Sequence, residues 1–299
     1  MKILVVGGTG FIGTALCAEL AARDHEVTAL SRSPDRSDLP ETVDLVTGDV
    51  TDYDSIEAAF EGQDVAINLV ALSPLFKTKG DRTHDNVHLG GTEHVVRAAE
   101  THGVRKLVQL SALGADPDGP TAYIRAKGAA EDVVRESELA WTIFRPSVVF
   151  GEGGEFVSFT KRTKELFAPL VPIAPLPGGG KTRFQPIHVE DFVPMIADAA
   201  TEDRHDGETY EIGGPEVLTL REVTKLAYRA EGKSMSVVPV PMVLAAVGMS
   251  VMQVVPPLPF GKDQYRSLKF DNSVDENGIE AFGVDPDELT TLAEYLGLA

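Results

Sequence analysis

Lys2-Ile3-Leu4-Val5-Val6-Gly7-Gly8-Thr9-Gly10-Phe11-Ile12-Gly13 decides how the rest of the chain is read. The aliphatic run predicts a strand that stops at the glycines, and from Phe11 onward Ala15, Leu16 and Leu20 recur at helical spacing. The pattern is strand, tight turn, helix. The glycines satisfy Gly8-x-Gly10-x-x-Gly13 and Gly7-x-x-Gly10-x-x-Gly13 together. A Cβ here would keep a pyrophosphate from the backbone N–H groups and the helix N-terminus, and would hold helix and strand apart. Between a strand and a helix the turn predicts dinucleotide binding, with Gly7, Gly8, Thr9, Gly10, Phe11, Ile12 and Gly13 around the phosphates.

Charge narrows the partners. Against 27 Lys and Arg stand 46 Asp and Glu, a net charge of -19, which argues against nucleic acid and anionic membranes as partners. The acids are dispersed (Asp35, Asp38, Glu41 and Asp44, then Glu131, Asp132, Glu136 and Glu138), as in a solvated acidic surface suited to a salt-rich cytosol. A single cysteine, Cys17, excludes an intramolecular disulfide and a cysteine-based metal cluster, and no metal site is expected. Beside Leu16 and Leu20 it reads as a buried core thiol. No signal peptide is read ahead of the first strand, so a cytoplasmic protein is expected.

Taken in order, Glu26–Leu30 predicts a second strand, ending in Ser31-Arg32-Ser33-Pro34-Asp35-Arg36. An NAD site usually places an acid here for the ribose hydroxyls; Arg32, with Ser31 and Arg36, suits a 2′-phosphate instead, so NADP(H) is expected to be preferred, with NAD(H) the alternative. A third strand, Val43–Val46, leads to Asp49 and Val50 near the adenine. A short helix over Ser55–Phe60 precedes a nearly all-apolar fourth strand, Val65–Val70, whose end (Leu69, Val70, Ala71) is expected beside the nucleotide. Asn86–Thr101 reads as helix and Lys106–Leu110 as a fifth strand. The βαβ lengths predict a doubly wound parallel sheet of Rossmann type. After the fifth strand come Ser111 and Ala112, then a helix from Thr121 that carries Tyr123 and Lys127 one turn apart on one face.

With these pieces the chain resembles the short-chain dehydrogenase/reductases of the extended or atypical type, relatives of the NAD-dependent epimerase/dehydratases. The matching stretches are the glycine turn, Asn86 with Gly91-Thr92, Tyr123-x-x-x-Lys127, Arg145-Pro146-Ser147-Val148-Val149-Phe150-Gly151, Ile187-His188-Val189-Glu190-Asp191 and Tyr210-Glu211-Ile212-Gly213-Gly214. The Arg-Pro-Ser-Val-Val-Phe-Gly run, with Leu258-Pro259 and Asp263-Gln264, resembles the branch of the NADPH-binding accessory subunit of respiratory complex I. The resemblance implies an oxidoreductase or epimerase in which Tyr123 is the acid or base and Lys127 lowers its pKa and holds the nicotinamide ribose. It also places Asn86, Arg145, Pro146, Ser147 and Val148 among the cofactor contacts. A serine or threonine at the end of the fifth strand should orient the substrate oxygen, but Ala112 holds that position and Ser111 stands one residue early. The alternative is a non-catalytic nucleotide-binding protein that supports a quinone-linked membrane complex.

Residues 1–150 are thus expected to form the nucleotide domain and 151–299 a smaller substrate-covering lobe interleaved with it. Pro172–Gly180 reads as a loop near the site mouth, His188 as a substrate contact or a packed residue, and Glu190–Ala200 and Leu220–Glu231 as amphipathic helices. Ser234–Gly261 carries no charge, but its prolines leave Met242–Val255 as helix, about 21 Å against a hydrocarbon core of about 30 Å. It is too short to span a membrane and reads as a buried helix, or as an apolar element for a lipid-like or quinone-like substrate or a peripheral membrane or protein contact. Oligomeric state is not legible.

Overall fold

Strands buried on both faces, as unbroken apolar runs require, form the centre of the computed structural model, which describes residues 1–74, 81–157, 173–241, 266 and 270–298. The central strands are β1 (Lys2–Val6), β2 (Glu26–Ser31), β4 (Val65–Asn68), β5 (Lys106–Leu110) and β6 (Ala140–Pro146), with β3 (Asp44–Thr47) a partly exposed edge strand and the short helix α2 (Tyr53–Ile56) between β3 and β4. A seventh, Glu208–Ile212, lies outside β6, and the sheet order is Glu208–Ile212, β6, β5, β4, β1, β2, β3. Every pair from β3 across to β6 is parallel. The chain runs outward through β2 and β3, then returns to place β4 on the other side of β1. That reversal opens a crevice at the carboxyl ends of β1 and β4, where such sheets bind ligands.

Alternation along the strands divides the core. Leu4, Val6, Ala66, Leu107 and Ile143 meet Val95, Ala98 and Ala99 of α3 (Gly90–Thr101) and Val134 of α4 (Ala122–Glu136). Phe144 faces the other way and meets Phe192 edge to face at 5.6 Å, on the helix Val189–Thr201. That helix packs beside α1 (Phe11–Ala22), to which Arg23 ties it through Asp198 at 2.5 Å. Register in the centre is pinned by a buried polar pair: Asn68 and Gln109 stand opposite each other in β4 and β5, and the Asn68 amide donates to the Gln109 carbonyl at 3.0 Å. The Asn68 oxygen accepts from the Val70 N–H, so β4 stops at Asn68, two residues before the apolar run ends.

A second departure from the sequence reading follows β4. The helix expected from Asn86 begins as a π-turn over Asp85–Leu89, and regular α-helix starts only at Gly90.

Contacts divide the chain into two units, one of residues 1–72, 78–146 and 189–211, the other of 73–77, 147–188 and 212–299. Residues 189–211 therefore join the first unit, because their helix packs against α1 and their strand extends the sheet. The second unit has its own core of Phe150, Phe156, Leu218, Val223 and Leu292. Its helix Leu220–Arg229 starts at a reciprocal capping box between Thr219 and Glu222. Pro172–Gly180, expected as a loop, supplies a strand instead: Ile173–Pro177 pairs in parallel with Ser236–Val240. A two-stranded ladder is all edge, which is where prolines are tolerated. Met242–Val255 lies outside the described residues, and no described helix is long and apolar enough to cross a membrane.

Close approach at the glycine turn sets the angle of α1. Gly7 has φ +90°, and a Cβ on Gly13 would lie 2.2 Å from the Gly7 carbonyl oxygen. Gly13→Ala should therefore force α1 off the turn and destabilise the protein by about 1–3 kcal/mol. Urea unfolding measures this, and an unchanged midpoint would contradict the packing described.

Candidate functional site

The turn after β1 leaves the N-terminus of α1 uncapped by any side chain. Gly10, the N-cap of α1, is exposed and offers no capping side chain, and the first turn of the helix holds no acid. The first-turn N–H groups have no intrahelical acceptors, and the helix dipole adds partial positive charge there. A Cβ on Gly10 would meet only the Gly7 oxygen, at 3.2 Å, so internal packing does not account for this glycine as it does for Gly13. A pyrophosphate laid on the turn does account for it, and the cradle fits a dinucleotide.

Around the cradle the strand ends converge. The Thr9 hydroxyl donates to the Ser31 hydroxyl at 2.9 Å, Leu69 N–H donates to Val6 C=O at 2.9 Å, and Val70 lies 3.4 Å from where a Gly7 Cβ would stand. Arg32 is exposed with no ion pair among the described residues. Arg36 instead closes its own loop, donating to the Pro40, Glu41 and Val43 carbonyls. Asp49 accepts from Thr51 and pairs with Arg82, while the Val50 carbonyl is 2.7 Å from His94 Nδ1. Ala71 is exposed beyond β4. Asn86, expected at the cofactor, is also exposed, and it locks the preceding loop by accepting from Thr83 N–H and donating to Asp81 C=O.

Tyr123 and Lys127 are placed by both ends of their surroundings. The Thr121 hydroxyl caps α4 by accepting from Ile124 N–H at 3.2 Å. Gly128 lets the helix lie on the Asp116–Pro117 backbone, only 2.3 Å from where its Cβ would be. Lys127, 1% exposed, donates to the Leu110 carbonyl at the end of β5, at 2.8 Å. Burial brings its ammonium down to about 8, and the Glu131 carboxylate opposes that fall. The Tyr123 ring lies edge to face with His84 at 5.5 Å and His88 at 5.4 Å. Burial pushes its phenol above the ordinary value. The phenol oxygen makes no hydrogen bond among the described residues.

One turn beyond Lys127, the wholly buried carboxylate of Glu131 gathers the polar groups behind the site. It accepts from Arg145 at 2.7 and 2.9 Å, from Arg135 at 2.8 Å and from the Ser111 hydroxyl at 2.5 Å. Arg145 reaches Glu211 as well, and its pKa is raised chiefly by the hydrogen bond to Glu131. Its guanidinium is thus committed to carboxylates of the fold, and Ser111 turns its hydroxyl to Glu131. Pro146 accepts from Leu113 N–H. In the second unit the Ser147 hydroxyl donates to Asn272 C=O, Val148 C=O accepts from Ile187 N–H, and His188 stacks against Phe150 and Tyr295 as a packed residue.

Residues 7–168, more than half of the chain, match the NAD(P)H-binding family. The chain belongs to that family. Over 94% of its length it is 31% identical to the mitochondrial "NADH dehydrogenase [ubiquinone] 1 alpha subcomplex subunit 9" of Arabidopsis thaliana, of which it covers 73%. It is 27% identical to an NAD(P)H azoreductase of Xenophilus azovorans, over 84% of this chain and 81% of that one. Among solved structures, Thermus thermophilus UDP-glucose 4-epimerase in complex with NAD aligns over 93% of this chain and 96% of its own, with TM-score 0.65 and 24% identity. Thermotoga maritima UDP-glucose 4-epimerase aligns over 100% and 97%, with TM-score 0.71 and 19% identity. At such identity the structures speak for the Rossmann-type fold alone. The expected resemblance to the complex I accessory-subunit branch is borne out by the 31% identical relative, and the expected NAD(P)-binding domain by the family match.

Arg82, His84 and His88 escaped the sequence reading, and Glu131, counted there among the acids of a solvated surface, is instead wholly buried against Arg145, Arg135 and Ser111. Glu131 was findable, since Tyr123, Lys127 and Glu131 recur every four residues along one face. Removing one member of a buried ion-pair cluster strands the others, so Glu131→Ala should cost on the order of 3–5 kcal/mol. Denaturant unfolding reads this directly, and a loss below about 1 kcal/mol would show that the cluster is not holding α4 to β6.

Proposed function

We propose that this protein is an NADP(H)-dependent reductase acting on a carbonyl- or quinone-type substrate, with Tyr123 as the proton donor. The observation that carries the reading is the Tyr123 phenol oxygen, left without a hydrogen-bond partner among the described residues, while Lys127, Ser111 and Arg145 are each engaged elsewhere. Bound NADPH supplies a hydride. Tyr123 then gives its proton to the substrate oxygen, and solvent restores it. A phenol whose pKa is raised by burial stays protonated at neutral pH, the form needed for reduction and a poor base for the reverse. Lys127 holds the nicotinamide ribose through its charge. The azoreductase among the relatives supports reduction as the reaction class.

A second reading is favoured by a specific pair of observations. Ala112 offers no hydroxyl, and the similarity to a respiratory-complex subunit covers 94% of the chain. Nucleotide binding would then stabilise a contact with a quinone-linked membrane complex, with the protein held peripherally.

Tyr123→Phe keeps the ring packing and removes the proton donor. NADPH affinity should barely change, while turnover falls at least about 100-fold, the loss typical of a general acid. Steady-state NADPH oxidation over a panel of carbonyl and quinone compounds measures it, and a Phe variant as active as wild type overturns the assignment. In the wild type NADPH affinity should also decline as pH rises through about 8, where Lys127 loses its charge, and Lys127→Met should flatten that dependence.

Cofactor preference rests on Arg32. Calorimetry should show NADPH binding more tightly than NADH, and Arg32→Ala should weaken NADPH alone, by about 1.5–3 kcal/mol for a charged hydrogen bond. Equal affinities in the wild type would remove the basis for NADP(H).

A further inference from the structure

We propose that His88 donates its Nδ1–H to the substrate oxygen bound at Tyr123, supplying the second donor that Ala112 does not. The inference rests on the reductase reading above.

Three observations carry it. First, the tautomer is fixed. The Leu72 backbone N–H, which is always a donor, gives its hydrogen bond to His88 Nε2 at 2.8 Å, so the ring proton resides on Nδ1. Second, that donor is left over. His88 is 2% exposed, and Nδ1 is buried without a partner among the described residues. Native interiors rarely leave a buried N–H unpaired, and those that do call for a specific explanation. Third, the ring stands against the residue where the oxygen must arrive, with its centroid 5.4 Å from that of Tyr123 and the planes at 78°.

The alternative source of a donor is already taken, because Ser111 gives its hydroxyl to Glu131. Burial, with the charges of Lys127 and His84, holds His88 neutral down to about 2, so it adds a hydrogen bond without adding a charge. A neutral imidazole that polarises a carbonyl is an established electrophilic device. The π-turn over Asp85–Leu89 puts this ring, rather than Asn86, inside the protein.

The test uses the full chain. NADPH oxidation over the carbonyl and quinone panel is compared for wild type, His88→Phe, and His88→Phe combined with Ala112→Ser. His88→Phe, which keeps a ring beside Tyr123, should lower kcat at least about tenfold while calorimetric NADPH affinity stays within about twofold. Ala112→Ser on that background should recover part of the loss, since it restores a hydroxyl where the donor is needed. An unchanged kcat in His88→Phe overturns the inference and leaves the Tyr123 assignment standing. A wild type that oxidises NADPH with none of the panel overturns that assignment and this inference with it. A readout independent of turnover uses 15N-histidine-labelled wild type, with the His88 Nδ1–H proton assigned through its Overhauser contact to the Tyr123 ring. Adding a panel compound to the NADP⁺-saturated protein should move that resonance downfield, and a resonance that does not move overturns the proposal even if His88→Phe fails to fold.

Discussion

No side-chain atom fits between the end of β1 and the first turn of α1, and the arrangement of the site follows from that exclusion. With the Gly7 oxygen 2.2 Å from where a Cβ on Gly13 would lie, α1 is held hard against the turn and its uncapped N-terminus sits at the carboxyl edge of the sheet. The strand order then places β2 on one side of β1 and β4 on the other, so Ser31, Val70 and the glycines share one edge. At this turn positive potential comes from backbone N–H groups and the helix dipole rather than from lysine or arginine, so a chain of net charge -19 can still present an electropositive edge there.

The other half of the site leans on Glu131. A lone buried carboxylate is costly by several kcal/mol, and here four donor contacts from Arg145, Arg135 and Ser111 offset the cost. The same carboxylate supports the charge on Lys127 against burial. One interaction thus fastens α4 to β6, removes Ser111 from the pool of free hydroxyls and keeps an ammonium beneath Tyr123. A substitution at Arg145 is accordingly a change to the Tyr–Lys helix, although the residue lies on a different strand.

Much of this was legible in the sequence because the relevant signals are local. The glycine turn, the apolar strands and the four-residue step from Tyr123 to Lys127 each reflect a geometry set within a few residues, and these elements appear where their patterns placed them, save that β4 ends at Asn68. The failures have the opposite origin. Whether Arg36 meets a phosphate or its own loop depends on where Pro40, Glu41 and Val43 turn their carbonyls, and Arg145 is claimed by a carboxylate 14 residues away. The loop expected over Pro172–Gly180 fails for a related cause. Its proline and glycine content is a local signal, but a partner strand far along the chain, Ser236–Val240, gives Ile173–Pro177 a ladder in which edge prolines are tolerated.

The region around Asn86 shows what a motif resemblance leaves out. The resemblance puts Asn86 among the cofactor contacts, on a stretch expected to run as regular helix from that point. The π-turn breaks the assumption: Asn86 is exposed and bonded to Asp81 and Thr83, and His88 is the buried neighbour of Tyr123. A π-turn forgoes ideal helical hydrogen bonding, and such turns appear frequently at functional sites. Here the turn carries a buried imidazole, His88, against the Tyr123 ring while Asn86 stays exposed. The fold and the glycine turn tie this protein to its family, and the ring beside Tyr123 is where the proposed chemistry would be its own.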